Sequence, residues 1–134
     1  MFFDTNVFLY TLEAVETRKR DVAVALVRTA LESGLGSTST QVLNEFYSNA
    51  VGKYRIPRPE ARRHVHAFGR LAVVPLDGTL VAAAVDYHQI AQISYWDALI
   101  VRAAVASRST ILYSEDLAPG QVYEGVRVVN PFAA

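Results

Sequence analysis

Short apolar runs alternate along this chain with longer stretches in which apolar residues return every three or four positions. The runs "MFF", "LGSTS", "LAVVPL", "TILYS" and "VRVVN" read as strands. "NVFLYTLE" reads as a helix with Asn6 able to cap it. From Arg18 to Ser33, residues Val22, Ala25, Leu26, Ala30 and Leu31 fall at helical spacing, and Gly34 stops the run. "TQVLNEFYSNAVGKY" predicts a helix capped by Ser39 or Thr40, and "PEARRHVHAFGR" another, with Pro59 in its first turn. "RIPRP" is a loop between these two. "TLVAAAVDYHQIAQ" and "SYWDALIVRAAVAS" predict two more helices.

Short apolar strands separated by helices predict an α/β fold with a mostly parallel central sheet of about five short strands and helices on both faces. Crossovers in such sheets are right-handed, and ligands bind at the carboxyl ends of the strands. The residues that follow each strand or open each helix are therefore the ones to question.

Composition narrows the possibilities. A chain of 134 residues suits one domain, residues 1–134, and 51% hydrophobic against 19% charged residues supports a real core rather than disorder. The absence of cysteine excludes disulfides and Cys-based zinc sites. No secretory signal and no apolar run long enough to span a bilayer is visible, so the expectation is a cytoplasmic protein without membrane contact. Thirteen basic and 13 acidic residues cancel, which removes any whole-molecule attraction to nucleic acid. The charge is unevenly spread, however. "KYRIPRPEARRHVHAFGR" gathers Lys53, Arg55, Arg58, Arg62, Arg63 and Arg70 against Glu60 alone. Taken by itself this is a solvated helix face; the functional alternative is a local phosphate-binding surface that includes Arg55, Arg58, Arg62 and Arg63.

Four acids stand where chemistry is expected. Asp4 follows the first strand, and Asp116, in "LYSEDL", follows the fourth. Asp97 opens a helix that is apolar nearly all round, where a carboxylate is costly without a partner. Ser94 to Asp97 also reads as a capping box, with the acid complementing the helix dipole. Glu45 lies about 60° beyond the edge of the arc formed by Val42, Leu43, Phe46, Tyr47 and Ala50, at the rim of an apolar face. Each acid alone has a plain structural explanation. Four on one sheet edge would repel one another severely, and an oxygen-only ligand set with no Cys and no clustered His suits Mg2+ or Mn2+. Such a cation can activate water and neutralise a phosphodiester transition state. His64, His66 and His88 show no metal-ligand spacing, Trp96 reads as a packing residue, and Asp77 as a cap for the helix after it.

Taken in order, Asp4-Thr5-Asn6-Val7, "TQVLNEF", "YWDALIV" and "LYSEDL" resemble the PIN domain, in the version found in VapC-type toxin ribonucleases of bacterial toxin–antitoxin pairs. The resemblance covers nearly the whole chain. It implies a metal-dependent endoribonuclease whose acidic quartet is Asp4, Glu45, Asp97 and Asp116. Asp4 and Asp97 would be direct ligands of Mg2+ (or Mn2+), Asp116 would complete the set, and Glu45 would act through a water. Thr5, Asn6 and Ser114 would orient those carboxylates. An RNA substrate, a homodimer and a cognate antitoxin whose C-terminal segment covers the cleft are implied as well. Two departures stand out. Only three residues precede Asp4, which could bring the α-amino group near the site, and Glu115 adds a second acid beside Asp116. The alternative is a PIN-like module that grips RNA or a protein without cutting. A hydrolase of small phosphate esters is less favoured, since there is no glycine-rich phosphate loop.

Overall fold

The computed structural model describes residues 1–133. The elements run β1 (Phe2–Phe3), α1 (Thr5–Tyr10), α2 (Thr17–Ser33), β2 (Ser37–Ser39), α3 (Thr40–Gly52), α4 (Arg58–Phe68), β3 (Ala72–Val74), α5 (Gly78–His88), α6 (Tyr95–Ala106), β4 (Ile111–Tyr113), β5 (Val122–Tyr123) and β6 (Val126–Val129). The sheet order is β3-β2-β1-β4-β6-β5. Every pairing is parallel except β5 with β6. The sheet is therefore mostly parallel as expected, with six strands rather than about five. The additional strand, β5, forms a hairpin: Tyr123 pairs with Val126 across Glu124 and Gly125, both at positive φ (52° and 82°). That is the backbone of a two-residue hairpin turn, tolerated at the second position because glycine carries no Cβ.

The connections explain the layers. From β1 the chain steps outward to β2 and on to β3, then jumps back to β4 on the far side of β1. Right-handed crossovers put α1–α4 on one face and α5–α6 on the other. Phe8 of α1 joins the first group: its ring stacks on Phe68 of α4 at 4.2 Å and meets Phe46 of α3 edge-on at 6.4 Å. Phe3, from the opposite side of the pleat to Phe2, lies 5.7 Å from Phe8 and 5.6 Å from Tyr113. On the second face α6 is buried along Ala98–Val101 and at Ala103 and Ala104. Gly36, entering β2, leaves no room for a side chain: a Cβ there would stand 2.6 Å from Ala30 Cβ and 2.8 Å from Leu71 Cδ2.

Helix ends follow local chemistry. Ser39 caps α3, Asp77 caps α5 and Ser94 caps α6, each side chain accepting a main-chain N–H. The first helix differs from expectation. Asp4, not Asn6, is its cap, with extended backbone and an oxygen taken by Thr5 N at 2.7 Å. Asn6 sits inside the first turn and is free to reach another element. No helix among the described residues is long and apolar enough to cross a membrane.

Candidate functional site

The order of the sheet reverses between β1 and β4, which makes their carboxyl ends a topological switch point, the crevice where ligands of open α/β sheets bind. Asp4 is the residue after β1, and its N–H continues the ladder by donating to Tyr113 O at 3.0 Å. Ser114 to Leu117 follow β4 on the neighbouring strand. β2 delivers α3 to the same edge, and the short loop from α6 into β4 requires α6 to start at that edge. Asp4, Glu45, Asp97 and Asp116 thus reach one end of the molecule from four different elements.

Three of the four carboxylates accept from neutral side chains, and Asp97 is placed by its main chain. Asp4 is 6% exposed; its Oδ2 accepts from Ser114 Oγ at 2.8 Å, opposite the Thr5 N–H on Oδ1. The fully buried Ser114 hydroxyl in turn accepts from Asp116 N at 3.1 Å and Leu117 N at 3.4 Å, so one serine fixes both the first acid and the loop of the last. Thr5 Oγ1 donates to Glu45 Oε2 at 3.0 Å. Asn6 Nδ2 donates to Asp116 Oδ2 at 3.2 Å, while Asn6 Oδ1 accepts from Glu115 N at 3.2 Å. Asp97 occupies the first turn of α6, with its N–H on Ser94 Oγ at 3.1 Å.

One participant was not expected from the sequence. Gln41 Nε2 donates to Glu45 Oε1 at 2.9 Å and reaches Trp96 O at 3.5 Å, tying α3 to the residue before Asp97. The available signal was the four-residue spacing of Gln41 and Glu45, which places them on one helix face. Trp96, read as a packing residue, is 64% exposed and so belongs to no core of this chain. A residue two places before the buried Ala98 falls on the opposite side of α6.

Electrostatics couple the acids. Burial pushes Asp4 up to about 6, helped by the nearby charges of Asp116 and Glu45 and opposed by its bonds to Ser114 and Thr5. Asp97 is also raised, first by burial and then by Asp116, against the Ser94 hydroxyl. Glu115 faces away from this group. Its carboxylate accepts from Tyr10 Oη at 2.6 Å and pairs with Lys19 Nζ at 3.0 Å. Burial raises Glu115, but those two partners together hold it below its usual value. The α-amino group lies away from the site as well, donating to Leu35 O ahead of β2.

The donor set fits a hard divalent cation. Asp4 is buried beside two further acids, and its direct partners are a hydroxyl and a main-chain N–H. Among the described residues no Lys or Arg forms an ion pair with any of the four acids. Buried carboxylates are normally paired or coordinate a metal, and an all-oxygen set suits hard divalent ions over softer ones. Among the described residues, however, no three acidic or His side chains are drawn together closely enough to form a ready-made metal group. The basic residues Arg55, Arg58, Arg62 and Arg63 are all exposed, and among the described residues none of them makes an ion pair. They lie at or near α4, where Arg58, Arg62 and His66 line a cleft of about 480 Å3 with Tyr47.

A parallel α/β sheet with carboxylates at its switch point defines the class. The chain belongs to the PIN domain family, whose model matches residues 1–124. Solved structures share the fold. A toxin–antitoxin complex from Klebsiella pneumoniae aligns over 99% of this chain and 98% of its own, with TM-score 0.71 and 21% identity. VapC20 of Mycobacterium tuberculosis, a toxin that cleaves the sarcin–ricin loop, aligns over 86% and 88%, with TM-score 0.58 and 17% identity. VapBC2 from Rickettsia felis, bound to a DNA fragment from its promoter, aligns over 86% of each chain, with TM-score 0.60 and 15% identity. Among curated proteins, none matches this sequence significantly.

Proposed function

We propose that this PIN domain is a divalent-cation-dependent endoribonuclease and the toxin of a toxin–antitoxin pair. The observation that carries the reading is the arrival of Asp4, Glu45, Asp97 and Asp116 at the switch-point edge from four elements, with Asp4, Glu45 and Asp116 each accepting from a neutral side chain and, among the described residues, none paired with a cationic one. Asp4 and Asp97 would hold Mg2+ or Mn2+ directly, Asp116 would complete the set, and Glu45 would bind through water. When bound, the cation supplies Lewis-acid activation of water and charge neutralisation at phosphorus.

The remaining work falls to the chain. Ser114 and the Thr5 N–H keep both oxygens of Asp4 in a fixed plane, and Thr5 Oγ1 with Gln41 does the same for Glu45. Held in this way, Glu45 can take a proton from an attacking water. In-line attack would leave 5′-phosphate and 3′-hydroxyl ends. Arg55, Arg58, Arg62 and Arg63 offset the repulsion between an acidic cleft and an RNA backbone.

The partner proposal rests on apolar surface. α2, α4 and Thr11 frame a cleft of about 350 Å3 in which Val24, Val27, Leu31 and Phe68 stand among Arg28, Glu32, His64 and Arg70, suited to an amphipathic antitoxin helix. The neighbours from Klebsiella pneumoniae and Rickettsia felis are toxin–antitoxin assemblies, which supports such a partner. Exposed Leu76, Val81, Val85 and Ile90 on the other side of the molecule suit the homodimer that the family resemblance implies.

One observation favours a non-cleaving, RNA- or protein-gripping module instead: no three acids form a ready-made metal group among the described residues. Mapping cleavage ends in total cellular RNA treated with purified protein and Mn2+ separates the two readings. New 5′-phosphate ends absent from an EDTA control support the nuclease. RNA binding that is indifferent to metal, with no new ends, supports the module.

A further inference from the structure

The loop that carries Asp116 is anchored from two sides. On the first side stand Ser114 and Asn6, whose hydrogen bonds with the loop run from 3.1 to 3.4 Å. On the second, Glu115 accepts from Tyr10 Oη at 2.6 Å and from Lys19 Nζ at 3.0 Å. Lys19 also donates to Tyr10 Oη at 3.2 Å and lies 4.9 Å from the Tyr10 ring centre. The two bonds to Glu115 are shorter than any on the first side, and one is charged on both sides, the stronger kind of hydrogen bond. Lys19 and Glu115 are 23% and 29% exposed, so solvent and salt screen them less than a surface pair. The partners come from afar: Tyr10 ends α1, Lys19 is in the first turn of α2, and the Tyr10 ring packs on Phe132 at 4.5 Å.

Asp116 needs such an anchor more than the other acids do. Its side chain is exposed and holds a single long bond, from Asn6, whereas Asp4 is buried between two shorter ones. Where the Asp116 carboxylate stands is therefore set by its main chain, and Glu115 is the adjacent residue in that main chain. We propose that Tyr10, Lys19 and Glu115 form a positioning latch for Asp116, and that the latch sets the affinity of the acid cluster for a divalent cation. This rests on the metal-dependent reading above. None of the three residues touches substrate or cation; they act through the loop.

The test is Mn2+ binding to the full-length protein by isothermal titration calorimetry, with thermal unfolding in EDTA as the folding control. Lys19→Met is expected to weaken Mn2+ binding about tenfold, the lower end of what outer partners of metal ligands contribute. Lys19→Arg restores most of it. Tyr10→Phe, which removes only the 2.6 Å bond, weakens binding in the same direction and serves if Lys19→Met fails to fold. A purely structural role is separated by a double-mutant cycle. In an Asp116→Asn background Lys19→Met should cost nothing further, whereas in a Glu45→Gln background the tenfold loss should persist. Unchanged affinity in folded Lys19→Met and Tyr10→Phe overturns the latch, and so does an equal loss in the Asp116→Asn background. If Asp4→Ala binds Mn2+ as well as the wild type, the metal reading itself fails and the latch with it.

Discussion

Replacing Asp4 by Asn should make the metal-free protein more stable at neutral pH. Asp4 titrates near 6 in the fold against 3.8 unperturbed, chiefly because it is buried. At about 1.4 kcal/mol per unit, its ionised form costs the native state roughly 3 kcal/mol at pH 7. The folded value lies above the unfolded one, so between the two the native state binds more protons than the unfolded chain. Stability then falls as pH rises from about 4 through 6 and levels off above. Asn keeps the shape and removes the charge. One amide oxygen must now serve where Ser114 Oγ and Thr5 N each had a carboxylate oxygen, a loss of about 1 kcal/mol. The net is a gain of roughly 2 kcal/mol at pH 7, turning into a loss of about 1 kcal/mol below pH 4, where wild-type Asp4 is already protonated. Urea unfolding of both proteins in EDTA, at intervals from pH 4 to 7.5, measures this difference directly. A destabilised Asp4→Asn protein at pH 7, or a difference that does not change with pH, would refute the reasoning. Adding Mn2+ should reverse the ranking, since only the wild type gains stability by binding it.

Other substitutions probe separate parts of the molecule. Gly36→Ala forces a Cβ to within 2.6 Å of Ala30 Cβ and should cost about 1–3 kcal/mol by urea unfolding; an unmoved midpoint contradicts the close packing of α2 on β2. Gln41→Met removes the amide that holds Glu45 and should lower RNA cleavage about tenfold at saturating Mn2+, with little change in melting temperature. Equal cleavage would show that Glu45 needs no such support. The double change Arg58→Gln, Arg62→Gln should raise KM for RNA without lowering kcat. It should also flatten the slope of log affinity against log salt by about one for each arginine–phosphate pair removed. A fall in kcat with KM unchanged would take α4 out of the binding surface.

Much of the fold was legible because its strands are short apolar runs between strongly periodic helices. α6 could be read as buried from Ala98–Val101 alone, and Ser39, Asp77 and Ser94 announced the helices they cap. What escaped depended on single turns or distant partners. Asn6 and Asp4 are both good caps, and only the extended backbone at Asp4 (ψ 164°) decides between them. β5 is two residues long, and its signal is the Glu124-Gly125 turn rather than any periodicity. Asp4 and Asp116 could be placed at one edge because each follows a strand. The Ser114-x-Asp116 spacing favours Asp116 over Glu115, but what Glu115 does instead has no local signal. Its partners are Tyr10 and Lys19, which lie 105 and 96 residues from Glu115 in sequence. Gln41 escaped for a similar reason, since an i,i+4 pair on a helix is ordinary until Trp96 is brought up against it.

The most direct measurement is cleavage of cellular RNA by the purified protein with Mn2+, comparing wild type with Asp4→Ala and Asp97→Ala. Cleavage by the wild type, its loss on chelation, and a fall of at least a hundredfold in both variants are expected if the acids at the switch point hold the catalytic cation, a loss of about 3 kcal/mol of transition-state stabilisation or more. Equal cleavage by all three proteins, or no cleavage by the wild type in any divalent metal, would contradict it.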